Sequence, residues 1–239
     1  MQAIACLPEE RAAALSRVAE QERIEELRLR CGEAPSVRIG GAERPLSLAP
    51  VTADELRETV SRAARYSVHS YAESMRQGFL PLEGGHRLGL CGTAVAENGS
   101  VTGVRRISSL NLRVARQIDA LDDILAPYIG EGAPFSLLVL APPGCGKTTL
   151  LRDLIRQVSD GTDTRQGQQV SVVDERSEIA GSYQGIPQNQ VGIRTDVLDA
   201  CPKTEGMMLL VRSMTPQVIA VDEIGSKEDL AALQRIAVC

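Results

Sequence analysis

The spacing of apolar and polar residues changes character halfway along the chain. In the first half, residues 8–23 read as a helix, followed by an alternating run at 24–31. That run puts Leu27, Leu29 and Cys31 on one side of a strand and Arg28 and Arg30 on the other. Val37 and Ile39, the pair Gly40-Gly41, then Leu46 and Leu48 predict a hairpin. Thr52 with Glu55 forms a capping box that opens a helix through about Arg65, and Ser70 with Glu73 opens another that stops at Gly78. Strands are expected at 79–82, 88–95 and 110–115, with turns at Gly84-Gly85 and Asn98-Gly99. An α+β domain over residues 1–117 follows.

Beyond a connecting helix at 121–128 and the breaker segment GEGAP, the runs at 135–140, 170–173 and 218–221 are continuously apolar. Strands covered on both faces by helices have that character, so residues 118–239 predict a parallel α/β sheet. There is no internal repeat, and only GTDTRQGQQ (161–169) approaches low complexity.

Composition narrows the class. Of 239 residues, 43% are hydrophobic and 24% charged, which suits a folded globular chain rather than a disordered one. No apolar run reaches the ~18 residues of a membrane span, and the N-terminus lacks a secretory signal, so a cytoplasmic protein is expected. Six scattered cysteines, without a CxxC pair and with only His69 and His86 to complete a shell, support neither a zinc site nor a disulfide framework. Charge is uneven: residues 1–118 carry 16 Arg and no Lys against 14 acids, and the remainder 10 basic against 17 acidic residues. Only Lys147, Lys203 and Lys227 stand beside 23 arginines.

Lys147 lies where chemistry is expected. The apolar run FSLLVL passes into APPGCGKTT and then LLRDLIRQV, so residues 141–148 spell a P-loop between strand and helix. Gly144 and Gly146 let amides turn inward at phosphate oxygens, and the helix adds its positive end. Lys147 suits the β and γ phosphates of ATP, and Thr148 a Mg²⁺ ion. Pro143, Gly144, Cys145, Gly146, Lys147, Thr148 and Thr149 are the candidate nucleotide-binding residues. Ala141 replaces the usual first glycine, a small residue that fits. Cys145 is either a reactive thiol near a helix N-terminus or merely a small residue. QVIAVDEIG ends a buried run in Asp222, a candidate metal ligand, and Glu223, a candidate base for water. QVSVVDERSEI ends likewise in Asp174 and Glu175, so acids converge on the carboxyl end of one sheet. For Glu175, a catalytic role stands against a salt bridge with Arg176. His86 reads as a turn residue rather than a base.

APPGCGKTTLLRDLIR, VVDERSEIAGSYQGIPQNQVGIRTDVLDACPK and MMLLVRSMTPQVIAVDEIG resemble the stage III sporulation protein AA family. EELRLRCGEAPSVR, GFLPLEGGHRLGLCGTAVAENG and ISSLNLRVARQI extend the resemblance over nearly the whole chain. The resemblance implies a RecA-like P-loop ATPase core, related to the type II and type IV secretion motors, preceded by a smaller α+β domain. It also implies a hexameric ring, membrane proteins of the stage III sporulation channel as partners, and a place at the mother-cell face of the outer forespore membrane. Residues 174–178 match the motors' acidic box and Asp222-Glu223 their Walker B position, where Gly-Glu is common. Related folds carry a further strand beyond the final helix, near residue 227, and that strand bears a sensor. The chain is therefore expected to be truncated, its sheet incomplete and its hydrolysis impaired.

Arg76, Arg87, Arg105, Arg106, Arg113 and Arg116 outnumber the acids around them. Some of these, with Arg194 and Arg212, are candidates to neutralise transition-state charge, the alternative being a solvated basic face. A nucleic-acid-dependent ATPase is a second reading, disfavoured by the absence of Trp and by two Phe and four Tyr, too few for a stacking platform. A nucleotide-gated scaffold with little turnover is a third.

Overall fold

Leu27 and Leu29 are each 2% exposed, so the alternation around them forms a strand with its leucines in a core. This is β1 (Glu26–Arg30), in a computed structural model that describes residues 2–21, 23–65, 78–97, 99–115, 136–142, 144–163 and 165–237. The helix expected from Ser70, the helix at 121–128, and Phe135, Asn98, Arg76, Arg116 and Pro143 lie outside the described residues. The chain divides into two units, Met1–Arg116 and Gln117–Cys239.

In the first unit, α1 (Glu9–Gln21) precedes β1, and β2 (Ser36–Ile39) and β3 (Ala42–Pro45) form the expected hairpin. Next come α2 (Ala53–Ala63), β4 (Phe79–Pro81), β5 (Arg87–Glu97) and β6 (Ser100–Arg113). The antiparallel sheet has the order β3-β2-β1-β6-β5-β4. The capping box is present: Thr52 accepts from the Glu55 amide at 3.1 Å, and Glu55 from the Thr52 amide at 2.7 Å. Arg11 of α1 donates twice to Glu55 and once to the Ala49 carbonyl, at 3.0, 2.6 and 2.8 Å, tying α1 to the start of α2. Burial alone would raise the Glu55 carboxyl, but the Thr52 amide and the Arg11 guanidinium outweigh it and hold it below its usual range.

Two expectations change here. Cys31 is exposed rather than beside Leu27 and Leu29: β1 ends at Arg30, the Cys31 amide still donates to the Ser108 carbonyl, and the chain then turns at Gly32 (φ +84°). β6 begins ten residues before Leu110, and its pairing with β5 slips between Cys91 and Thr93 and between Val95 and Ala96. The first slip inserts two extra residues in β6 and the second one; the one-residue slip exchanges faces, and together they break the alternation that would have marked the strand.

In the second unit, the five residues of β9 (Val170–Asp174) are all buried. β9 pairs in parallel with β10 (Thr195–Asp199) on one side and β11 (Val218–Val221) on the other. Val170 and Val172 pack with Leu154, Ile155 and Val158 of α3 (Lys147–Asp160). Val173 packs with Met207 and Leu210 of α4 (Lys203–Met214) and Ala232 of α5 (Lys227–Ile236). Odd and even positions of one strand thus fill opposite cores, as a sheet covered on both faces requires. A small hairpin, β7 (Gly161–Thr162) and β8 (Arg165–Gln166), follows α3. Ser226 and Asp229 form the capping box of α5.

Residues 136–140 do not form the expected strand. Leu137, Leu138 and Leu140 are 50%, 62% and 82% exposed, and only Val139 packs on the core. None of the described strands pairs with this run, so its backbone lacks the ladder hydrogen bonds that would make it a strand.

Helix α4 approaches β9 closely at Gly206, where an added Cβ would lie 2.6 Å from Val173 Cγ1 and 3.3 Å from Cys201 Sγ. Helix propensity favours Ala over Gly by about 1 kcal/mol, but overpacking a filled core costs about 1–3 kcal/mol. Gly206→Ala is expected to lower the stability of the second unit in urea unfolding. A gain in stability would show that Val173 can move aside.

Candidate functional site

The carboxyl ends of β9 and β11 and the start of α3 assemble the site. Gly144 (φ +77°) and Gly146 (φ +83°) occupy left-handed backbone, and a Cβ on either would meet nothing within 4 Å. Conformation rather than space therefore requires glycine at both. Gly146 is the residue before α3 and supplies no side-chain cap, so the first amides of the helix keep their donors for an anion, reinforced by the helix dipole. Lys147 Nζ donates to the carbonyls of Ala141 and Pro142, both at 3.0 Å, folding the ammonium back across the loop. Thr148 and Thr149 are half-buried in the first turn, and Cys145 is exposed.

Four acids near the loop have different partners. Asp174 is fully buried, and its carboxylate accepts from the amides of Glu178 (2.7 Å), Ile179 (3.2 and 3.1 Å) and Ala180 (2.8 Å). It folds its own loop rather than facing a ligand. Glu175 pairs with Lys203 at the start of α4, not with Arg176. Arg176 instead meets Glu223 at 3.4 Å, joining the acidic segments that follow β9 and β11. Asp222 is half-buried and accepts from the Glu223 amide at 3.1 Å. Burial raises the Asp222 carboxyl above its usual range; Glu178, Glu223 and Asp174 add to this and together outweigh the Glu223 amide.

Arg152 is a residue beside the site that motif reading passes over. Its Nε donates to the Ile179 carbonyl at 2.5 Å and its Nη2 to the Glu178 carbonyl at 2.7 Å. Burial lowers this guanidinium's pKa, while Asp174 and Asp222 pull it back up. The available signal was spacing: Arg152 follows Thr148 by four residues and so shares its face of α3.

A carboxylate kept uncomfortable by burial and by like charges is relieved by a divalent cation, so the chemistry of Asp222 suits a Mg²⁺ ligand. Among the described residues no group of three His, Cys, Asp or Glu is arranged to hold a metal ion. Mg²⁺ does not demand one, since it takes one or two protein ligands and fills its remaining positions with phosphate and water.

Arg194 and Arg212 are not brought to the phosphate loop within the chain. Arg194 Nη1 donates to the carbonyls of Ser159 (3.0 Å) and Asp160 (3.4 Å), capping the far end of α3. Fourteen residues of helix separate that end from Lys147 by about 20 Å. Arg212, exposed in the last turn of α4, leads into the amino end of β11. In the first unit Arg87 lies over the Phe79 ring, 4.9 Å from its centroid, while Arg105, Arg106 and Arg113 are exposed. His86 Nδ1 accepts from the Ala115 amide at 3.0 Å, and burial lowers its pKa, which suits a structural residue.

Because folding raises the Asp222 pKa, ionisation of this group costs stability above its folded-state titration. The cost fades as pH falls through that titration towards the ordinary Asp value. Asp222→Asn removes it and keeps an acceptor for the Glu223 amide. In metal-free buffer the variant is expected to melt above the parent at pH 7.5, with the difference closing as the pH is lowered. Equal melting at pH 7.5 would contradict this account of the charge cluster.

The chain matches the family described as "Sporulation stage III, protein AA" over residues 8–239. It is 45% identical over 229 residues to Stage III sporulation protein AA of Bacillus subtilis, covering 95% of this chain and 74% of that relative. Its fold is similar to that of the Legionella pneumophila ATPase DotB, with a TM-score of 0.54 at 15% identity over 95% of this chain. It is also similar to the pilus retraction motor PilT solved with bound ADP, with a TM-score of 0.57 at 16% identity over 92% of the chain. The chain spans 62% of the length of each of these two structures. The architecture is therefore mixed α/β with a RecA-like core similar in fold to these two structures, and the chain belongs to the Sporulation stage III, protein AA family.

Proposed function

We propose that the second unit binds ATP with Mg²⁺ and hydrolyses it. The observation that carries this reading is an uncapped helix start bearing Lys147 on the same helix whose Arg152 holds the acidic loop after β9 and lies within electrostatic reach of Asp222 at the end of β11. Lys147 exchanges its two loop carbonyls for β and γ phosphate oxygens, and the amides from Gly144 to Thr149 take the rest of the phosphate charge. Thr148 and Asp222 hold the metal, which when bound supplies charge neutralisation between the phosphates. Glu223 takes the proton of the attacking water. It is exposed, and its Arg176 partner is exposed too, so the carboxylate is free to turn towards a ligand. Glu175, held by Lys203, positions the start of α4 instead.

By analogy with the ATPases of similar fold, the protein works as a homo-oligomer, a hexameric ring. Arg194 and Arg212 then serve a nucleotide on a neighbouring copy. The family places the work in sporulation, and we assign it as a motor that powers assembly of, or transport through, the channel between mother cell and forespore. The partners are membrane proteins of that channel, and the motor sits peripherally on the mother-cell side. Among the described residues no helix is long and apolar enough to cross a membrane.

Lys147→Ala is expected to abolish MgATP uptake in calorimetry. Glu223→Gln is expected to bind normally and lose about 10²-fold or more in turnover. Retained hydrolysis in Glu223→Gln together with its loss in Glu175→Gln would move the base to Glu175. Stimulation of turnover by single-stranded DNA or RNA would turn the motor reading towards a nucleic-acid translocase.

A further inference from the structure

The strip of backbone from Glu178 to Ala180 is fully paired. Its three amides go to the Asp174 carboxylate. The carbonyls of Glu178 and Ile179 accept from Arg152, and that of Ile179 also from Asn189 Nδ2 at 2.9 Å. The Ala180 carbonyl accepts from the amides of Gln188 (3.0 Å) and Asn189 (2.9 Å). Donors are thus held by the carboxylate at the end of β9, and acceptors by Arg152 of α3 and by the loop at Gln188 and Asn189. The helix-side grip comes from the residue one turn beyond Thr148, and Glu178 carries the charge that bears most strongly on Asp222 among its acidic neighbours.

We propose that Arg152 is a positioning residue that fixes the acidic loop, residues 174–180, against the metal-binding face of α3 and thereby sets the affinity for Mg²⁺. This rests on the nucleotide reading above. Arg152 touches neither phosphate nor metal in this assignment; it acts through the Glu178 and Ile179 carbonyls. Its planar fork serves two carbonyls one residue apart, whereas an ammonium is a point donor that cannot reproduce that geometry. Charge alone argues the other way, because a cation beside Asp222 repels a metal, so its removal would tighten metal binding. The sign of the change therefore separates positioning from simple electrostatics.

The test uses the whole chain with ADP and with Mn²⁺ as a paramagnetic stand-in for Mg²⁺. Calorimetry in EDTA measures ADP alone, electron paramagnetic resonance measures Mn²⁺ on the protein–ADP complex, and hydrogen exchange follows the amides of residues 178–180. Arg152→Lys and Arg152→Gln are expected to bind ADP as the parent does in EDTA. Both are expected to bind Mn²⁺ at least about tenfold more weakly, the scale of lost outer-shell support, and to exchange those amides faster. Asn189→Ala, which removes a weaker hold on the same Ile179 carbonyl without changing charge, is expected to weaken Mn²⁺ about threefold. Should the Arg152 variants fail to fold, Asn189→Ala decides alone. Unchanged or tighter Mn²⁺ binding in the folded variants overturns the proposal. Failure of the parent to take up ADP overturns the nucleotide reading instead.

Discussion

One buried carboxylate organises the second unit. Asp174 stands at the end of the central strand with no exposed surface, a position in which an unpartnered charge would cost several kcal/mol. Three consecutive amides of its own loop satisfy it, and charge-assisted hydrogen bonds of this kind are about twice as strong as neutral ones. The loop must wrap the carboxylate to form those bonds. The wrapping in turn sets where Glu175, Arg176 and Glu178 leave the backbone, so the rest of the site inherits its geometry from a group that takes no part in the chemistry.

Charge distribution around that anchor explains which acids are available. Lys203 binds Glu175, and the carbonyl-bonded guanidinium of Arg152 lies within electrostatic reach of Asp174 and Asp222. Asp222 is left half-buried among Glu178, Glu223 and Asp174, its proton held more tightly than usual. A site meant only for stability would have paired or removed this carboxylate, because like charges gathered at a sheet edge oppose folding. Concentrating the discomfort on one group within electrostatic reach of Arg152 on α3 leaves a carboxylate that a divalent cation would relieve.

Much of this was legible in the sequence, and the gaps have physical causes. The capping box at Thr52 and Glu55, the leucines of β1, the central strand and the start of the final helix near residue 227 all follow from local spacing. Gly144 and Gly146 were legible because their backbone admits little else. The partner of Glu175 was not, since Lys203 lies 28 residues away and meets it only through the packing of α4 on β9. β10 escaped because TDVLD is half polar, and all five of its residues stay half-exposed at the sheet's edge. Arg152 escaped for a different reason: its partners are backbone carbonyls, which every residue possesses and no motif spells.

The parallel sheet also constrains where any charge-neutralising arginine can originate. Helices α3 and α4 each return the chain from the carboxyl ends of the strands to the amino ends, so residues late in a helix or just before a strand fall on the edge away from the loop. Arg212 is late in α4 and Arg194 immediately precedes β10, and both share that fate. Arg194 is further committed to the last carbonyls of α3, which would lose their cap if it turned elsewhere. Arg176 is the exception, since it follows the carboxyl end of β9 and already reaches Glu223. A cation supplied within the same unit can therefore come from the acidic loop itself, whereas one from the far edge needs a second copy to carry it to the phosphates.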